Sequence, residues 1–324
     1  MKITKLVNGN HLSFPKILNI ELMDYCPLSC SYCFKDNNAT HSLEKGYLFK
    51  LIDEAAENGI VTVLLSGGEP LLYPDLIKVV EKLKQKRICT YISTSGVGLN
   101  SHLLKELLYI GLDMLYISLN GSKKEINELS RDGYDEAIQA MKMCESAEIP
   151  YRINWVARND NIKDLTALIR MAKERNAQGI DILSNKSSKN GVIASPLTSM
   201  DMNLLIDIYR KNKNFLVYQT CFVELKNKLL SDKNPQSILL QGCSAGIYAM
   251  SVFSDGSFSI CPHIYTKNNY DSLLTFWNTD KDVMQYRMNI KNERCQGCGY
   301  YKLCLPCRLS PVTECLAYER RKGE

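Results

Sequence analysis

Thirteen of the 324 residues are cysteine, and they are unevenly placed. Cys26, Cys30 and Cys33 share one short segment, Cys26-Pro-Leu-Ser-Cys30-Ser-Tyr-Cys33. Cys295, Cys298, Cys304, Cys307 and Cys315 crowd the far end, preceded by Cys243 and Cys261. The first residues lack the apolar stretch and small-residue cleavage site of a secretory signal, so a reducing, cytoplasmic setting is expected. There, metal or redox chemistry accounts for clustered thiols better than a disulfide framework does. Three thiolates at C-x3-C-x2-C spacing fall one short of a closed structural zinc site, and His41 would be a fourth ligand only at an unusual offset. The same three suit three corners of a cubane iron–sulfur cluster, leaving one iron open to a chelating small molecule. Three merely structural cysteines would not need so compact a spacing.

The surrounding pattern must place that loop. From residue 17 to about 212 a βα rhythm repeats six times. Strands are predicted at 17–23, 60–65, 88–93, 112–119, 150–156 and 180–183. Helices are predicted near 43–57, 75–84, 101–109, 134–147, 163–174 and 200–211. The strands read as apolar runs with little alternation, as in a parallel sheet covered by helices. Periodicity alone allows an open doubly wound sheet or an incomplete barrel; in either, ligands gather at the carboxyl ends of the strands. Beyond 215 the rhythm changes. A helix near 221–230 and a polar loop lead to 248–253 and 257–261, which flank the hairpin signal Asp255-Gly256. The expected division is 1–215, a bridging 216–240, and a cysteine-dependent appendage at 241–324 with too few apolar residues for its own core. No run of eighteen apolar residues exists, which argues against a membrane span. The formal charge of +5 is scattered, which argues against nucleic acid as partner.

The cysteine loop after the first of six βα strands resembles the signature of the radical S-adenosylmethionine (SAM) superfamily. That resemblance implies a partial (β/α)6 TIM-like barrel, with Cys26, Cys30 and Cys33 holding a SAM-binding 4Fe–4S cluster. Tyr32 matches the aromatic position whose backbone meets adenine. Ser66-Gly67-Gly68-Glu69-Pro70, after the second strand, is similar to the family's segment that binds the methionine amino group. Gly67 and Gly68 allow close backbone approach, and Glu69 offers an anion. Ser118-Leu-Asn120-Gly121, after the fourth strand, resembles a Ser-Leu-Asp-Gly segment, with Ser118 and Arg131 implied at the cofactor's carboxylate. Asn120 stands where aspartate is commoner, and Ser95 where many relatives have asparagine. Without the resemblance, Arg131 also reads as a surface charge at a helix entry.

The spacing Cys243-x12-Gly256-x4-Cys261, then Cys295-x2-Cys298-x5-Cys304-x2-Cys307-x7-Cys315, is too tight between its knuckles for a zinc ribbon. It resembles the seven-cysteine SPASM extension of the same superfamily, with two residues where three commonly separate the knuckle cysteines. By that resemblance Cys295, Cys298, Cys304 and Cys315 hold one auxiliary 4Fe–4S cluster, and Cys243, Cys261 and Cys307 the other. Seven thiolates serve eight positions, so the fourth ligand is open, supplied by substrate, or supplied by Cys221. Cys89 and Cys144 read as core residues. His263 is a candidate proton acceptor beside a cluster ligand, or a plain loop histidine. Pro262 occupies the place of an aspartate in sulfatase-maturing relatives, which argues against that activity.

The resemblance implies an oxidoreductase that cleaves SAM to a 5′-deoxyadenosyl radical. It would oxidatively modify a ribosomally synthesised precursor peptide by crosslink, thioether or desaturation. The alternatives are a small-molecule, aminosugar-type oxidase or epimerase and a non-catalytic zinc module. Only about 16 residues precede the first strand, so a separate leader-binding protein or docking on the barrel is expected, with a flavodoxin- or ferredoxin-type electron donor. Ten ligating thiolates and three oxidised cluster cores would offset about four of the five formal positive charges, so the basicity is no partner signal.

Overall fold

The computed structural model describes residues 12–33, 40–187, 194–230, 243–288 and Cys307. The six expected βα units are present: β1 (Ile17–Glu21), α1 (Lys45–Glu57), β2 (Thr62–Ser66), α2 (Leu76–Gln85), β3 (Cys89–Thr94), α3 (Ser101–Ile110), β4 (Met114–Ser118), a short α4 (Lys124–Asn127), α5 (Tyr134–Ser146), β5 (Tyr151–Ala157), α6 (Leu165–Glu174), β6 (Ile180–Ser184) and α7 (Ser199–Lys211). They are followed by β7 (Leu216–Tyr218), α8 (Val223–Leu230), β8 (Ala249–Val252), β9 (Phe258–Ser259), α9 (Leu273–Thr279) and α10 (Lys281–Met288). All but β9 pair in parallel within one open sheet ordered β7-β6-β5-β4-β3-β2-β1-β8-β9. Among the described residues no helix is long and apolar enough to cross a membrane.

Two expectations are corrected. The rhythm continues one strand past residue 212: β7 pairs with β6, and three residues between two helical stretches were too few to register as a strand. The strands also alternate. Leu18, Ile20, Val63, Leu65, Ile92, Leu115, Ile117, Ile153 and Ile182 are buried beneath the helices. The opposite face, half-buried, carries Asn19, Ser66, Ser93, Ser118 and Asn154. Toward the strands' carboxyl ends the described residues of this face are polar, where a fully packed barrel would carry branched apolar side chains. Nearer the amino ends this face is occupied by Tyr91, packed edge-on to Tyr116 at 5.6 Å, and by the Arg152–Asp181 ion pair.

The expected hairpin around Asp255-Gly256 forms, with β8 hydrogen-bonded along β1. The segment after it is anchored by ordinary packing. Glu54 on α1 accepts from Ser272 Oγ (2.7 Å) and from the amides of Leu273 (3.0 Å) and Leu274 (2.9 Å), capping α9. Phe276 and Trp277 are buried, and the indole N–H donates to the Leu12 carbonyl at 2.7 Å.

Candidate cofactor site

The cysteine loop leaves β1 at the carboxyl edge of the sheet and is held from two sides. On one side lies the turn after β2. The Gly68 amide donates to the Met23 carbonyl at 2.7 Å and the Glu69 amide to the Tyr25 carbonyl at 2.9 Å. A Cβ on Gly67 would lie 2.3 Å from the Met23 carbonyl oxygen, and one on Gly68 would lie 2.1 Å from that of Tyr25. Here the two glycines let the cysteine loop pass. Glu69 turns inward and is fully buried: one carboxylate oxygen accepts from Leu71 N (3.1 Å) and Thr94 Oγ1 (2.6 Å), the other from Ser95 N (2.8 Å) and the Ser95 hydroxyl. Burial pushes its pKa up, while these donors pull it back. Glu69 thus ties the end of β2 to the end of β3, with Ser95 as its partner.

On the other side is the segment between α4 and α5. Ser29 N donates to Asp132 Oδ2 at 2.8 Å and Ser31 N to the Ser130 carbonyl at 3.1 Å. Arg131 is half-buried and is not a surface charge at a helix entry. Its Nε donates to the Ser118 carbonyl (3.0 Å) and its Nη1 to the Tyr32 hydroxyl (2.7 Å). Burial opposes the guanidinium charge, but Tyr32 and Cys30 beside it favour that charge and leave the pKa raised. Asn120 holds this segment in place from below. Its amide N–H donates to Asn127 Oδ1 (2.8 Å), its side-chain NH2 to Ser130 Oγ (3.0 Å), and its Oδ1 accepts from Val156 N (3.0 Å). Trp155 and Asn161 donate to the Asn120 carbonyl. No sequence motif pointed to Asp132, Asn127, Asn161 or Trp155. Asp132, next to Arg131, could have been suspected only from its charge.

The thiols themselves suit an iron–sulfur group. Burial raises the pKa of Cys26 and Cys30, so each is kept protonated until a metal displaces the proton. The Leu28 amide faces the Cys26 sulfur and the Asp132 amide faces that of Cys30, both stabilising thiolate charge. Arg131 also favours the Cys30 thiolate. Such N–H···S contacts are among the devices that tune cluster potentials. His41 sits beside this loop with Nδ1 3.0 Å from Asp24 Oδ2.

A second group of thiols lies where the sheet's two edges approach. Cys221, after β7, Cys243, before β8, Cys261, after β9, and Cys307 come together. The Ala245 and His263 amides face the sulfurs of Cys243 and Cys261. His263 therefore serves Cys261 through its backbone. Among the described residues no three His, Cys, Asp or Glu side chains close around a single ion; a cluster spaces its ligands across several metal atoms. Cys295, Cys298, Cys304 and Cys315 lie outside the described residues. Cys144 is a buried core residue, its pKa pushed up to about 12 by burial. Cys89 departs from that expectation: it is half-buried on the interior wall and donates to the Tyr91 hydroxyl at 3.4 Å.

Residues 20–172 match the family model of the Radical SAM superfamily. The chain is 32% identical over 176 residues to the PqqA peptide cyclase of Ruegeria pomeroyi, covering 52% of this chain and 46% of that protein. It thus spans about half the length of that curated relative. It is 22% identical over 321 residues to the AdoMet-dependent heme synthase of Methanosarcina barkeri, covering 91% of each. Among solved structures, Streptococcus suis SuiB bound to its precursor peptide SuiA superposes with a TM-score of 0.80 at 22% identity, covering 95% of this chain and 75% of that one. At that identity the likeness establishes the fold. The braced cysteine loop lies inside this matched span, residues 20–172.

Proposed function

We propose that the chain is a radical SAM enzyme that oxidatively modifies a ribosomally made precursor peptide in the cytoplasm. The observation that carries this reading is the three-thiol loop, clamped between the Gly67-Gly68 turn and the Ser130–Asp132 segment at the open end of a polar-lined barrel. Cys26, Cys30 and Cys33 would hold a 4Fe–4S cluster with one iron free for SAM. When bound, that pair supplies a 5′-deoxyadenosyl radical able to take hydrogen from an unactivated carbon. The chain's own tasks are binding and positioning. Arg131 places a cation beside Cys30 and Tyr32, suited to the SAM carboxylate, with Ser118 next to it. Ser66, Ser93 and Asn154 line the interior that would seat the reacting part of the substrate. Cys243, Cys261 and Cys307, and separately Cys295, Cys298, Cys304 and Cys315, would hold two auxiliary clusters. A leader-binding protein and a flavodoxin- or ferredoxin-type donor would complete the system.

The similarity to PqqA peptide cyclase and to SuiB supports a peptide substrate. The end-to-end similarity to a heme synthase supports a second reading, oxidation of a small molecule. Anaerobic protein supplied with SAM and reductant should form 5′-deoxyadenosine, and the C26A/C30A/C33A variant should not. No 5′-deoxyadenosine with any reductant would overturn the enzyme reading. A peptide encoded beside the gene that returns lighter by two hydrogens selects the first substrate class. An unchanged peptide, with turnover of a small molecule instead, selects the second.

A further inference from the structure

Three of the gathered thiols, Cys243, Cys261 and Cys307, belong to the expected auxiliary set; the fourth, Cys221, does not. Cys221 follows β7 at one edge of the sheet, whereas Cys243 and Cys261 flank the β8–β9 hairpin at the other. Cys221 is 7% exposed and Cys243 8%. The Cys307 thiol is hydrogen-bonded with both of them, and Cys261 lies within electrostatic reach of Cys221 and Cys307. Against this group sits Lys186, on the segment leaving β6, 9% exposed, with Nζ 3.1 Å from Cys221 Sγ. The groups that face its ammonium are the sulfurs of Cys221, Cys307 and Cys261. Burying an ammonium is costly unless an anion faces it, and neutral thiols supply little. Four thiolates around an oxidised 4Fe–4S core carry a net charge of about −2, which does.

We propose that Cys221 is the fourth thiolate of the auxiliary cluster held by Cys243, Cys261 and Cys307, and that Lys186 is its buried hydrogen-bond donor. This rests on reading the site as an iron–sulfur centre. Its consequence is that every iron of that cluster is thiolate-bound, so substrate approaches the cluster but does not ligate it. The cluster also becomes a staple joining the two edges of the open sheet. Lys186 is a positioning residue: a cation and N–H donor beside one sulfur favours the reduced, more negative state of the cluster.

The test uses the full chain in the C26A/C30A/C33A background, so that all remaining iron is auxiliary, about eight atoms in two cubanes. Cys221→Ala and Cys243→Ala are added separately, with circular dichroism as the check on folding. Iron, sulfide and the electron paramagnetic resonance spectrum after mild oxidation are then measured. C221A should match C243A: either loss of about four iron atoms, or a three-iron signal absent from the parent. C221A with full iron and the parent's spectrum, while C243A is altered, overturns the proposal and leaves the auxiliary-cluster reading standing. A parent without iron overturns both. Lys186→Met keeps all four thiols and should retain full iron, while the midpoint potential of one auxiliary cluster moves lower and the other stays. An unmoved potential overturns the role of Lys186, and this measurement remains decisive if C221A does not fold.

Discussion

Replacing Gly68 with alanine isolates the contact on which the three-thiol site depends. The added methyl would lie 2.1 Å from the Tyr25 carbonyl oxygen, 2.3 Å from the Tyr25 carbonyl carbon and 2.4 Å from the Asp24 carbonyl oxygen. All three are backbone atoms, so no side chain can rotate away, and the chain must separate there. Gly68 does not use a left-handed φ, so the cost is steric rather than conformational. Overpacking costs about 1–3 kcal/mol, and the two amide bonds lost (Gly68 to Met23, Glu69 to Tyr25) each cost about 0.5–1.5 kcal/mol. Together these come to about 2–6 kcal/mol, a shift of at least about thirtyfold toward a displaced loop. The displaced element is the partly exposed loop, with Tyr25 half in solvent, so the helices and the rest of the sheet need not respond. G68A should therefore keep its circular dichroism and melting temperature within a few degrees, lose about four iron atoms per chain, and lose 5′-deoxyadenosine formation. G68A with the parent's iron content and 5′-deoxyadenosine yield would refute the view that this turn holds the cysteine loop.

Arg131→Met removes two charged hydrogen bonds, each worth about 1.5–3 kcal/mol, and the cation beside Cys30; SAM affinity by equilibrium dialysis should fall at least tenfold, and R131K should recover only part of it. Glu69→Gln should lower stability in denaturant melts by about 1–3 kcal/mol, because each carboxylate oxygen accepts from a backbone amide and either orientation of the new amide sets N–H against N–H. Burial raises the Glu69 pKa, so the folded chain holds a proton there after the unfolded chain has lost it. Stability should fall as pH rises from the ordinary glutamate value through the folded one, and E69Q should flatten that slope. Glu54→Ala uncaps α9 at a cost of about 1 kcal/mol; limited proteolysis within 273–288 should speed up with 5′-deoxyadenosine yield unchanged. Chelating the iron should leave β8 on β1, so amide exchange at Ala249–Val252 should stay protected.

The six βα units were legible because each helix buries one apolar stripe and each strand one apolar row, and both leave a period. The cysteine loop was legible because its spacing is local. What stayed hidden depends on which residues meet. Leu216-Val-Tyr becomes a strand only because β6 presents an unpaired edge to it. Tyr116 and Ser118 are half-buried on the face away from the helices, and in so short a strand one tyrosine among apolar neighbours hides their alternation with Leu115 and Ile117. Glu69, Asn120 and Arg131 were singled out by resemblance as groups for the cofactor. In the fold, Glu69 and Asn120 tie strand ends and loops together, with partners up to 41 residues away. Asn127 acts through Asn120 and Arg131, and Asp132 through Ser29 and Cys30.

Among the described residues beyond 241, contacts with the βα units stand in for a separate core. Counted alone, the apolar residues beyond 241 are too few for a separate core. Yet β8 adds to β1, and all four of its residues are buried. Phe258 and Phe276 pack edge-on at 5.6 Å, and Glu54 caps α9 from the barrel side. Residues 249–279 are thus held partly by their own aromatic packing and partly by β1 and α1, by the same forces as the rest of the sheet. The thiol group has a narrower task. Cys221 and Lys186 come from the β6–β7 edge, and Cys243 and Cys261 from the β8–β9 edge. A group that holds all four thiolates would therefore fix the distance between edges that no strand pairing joins among the described residues.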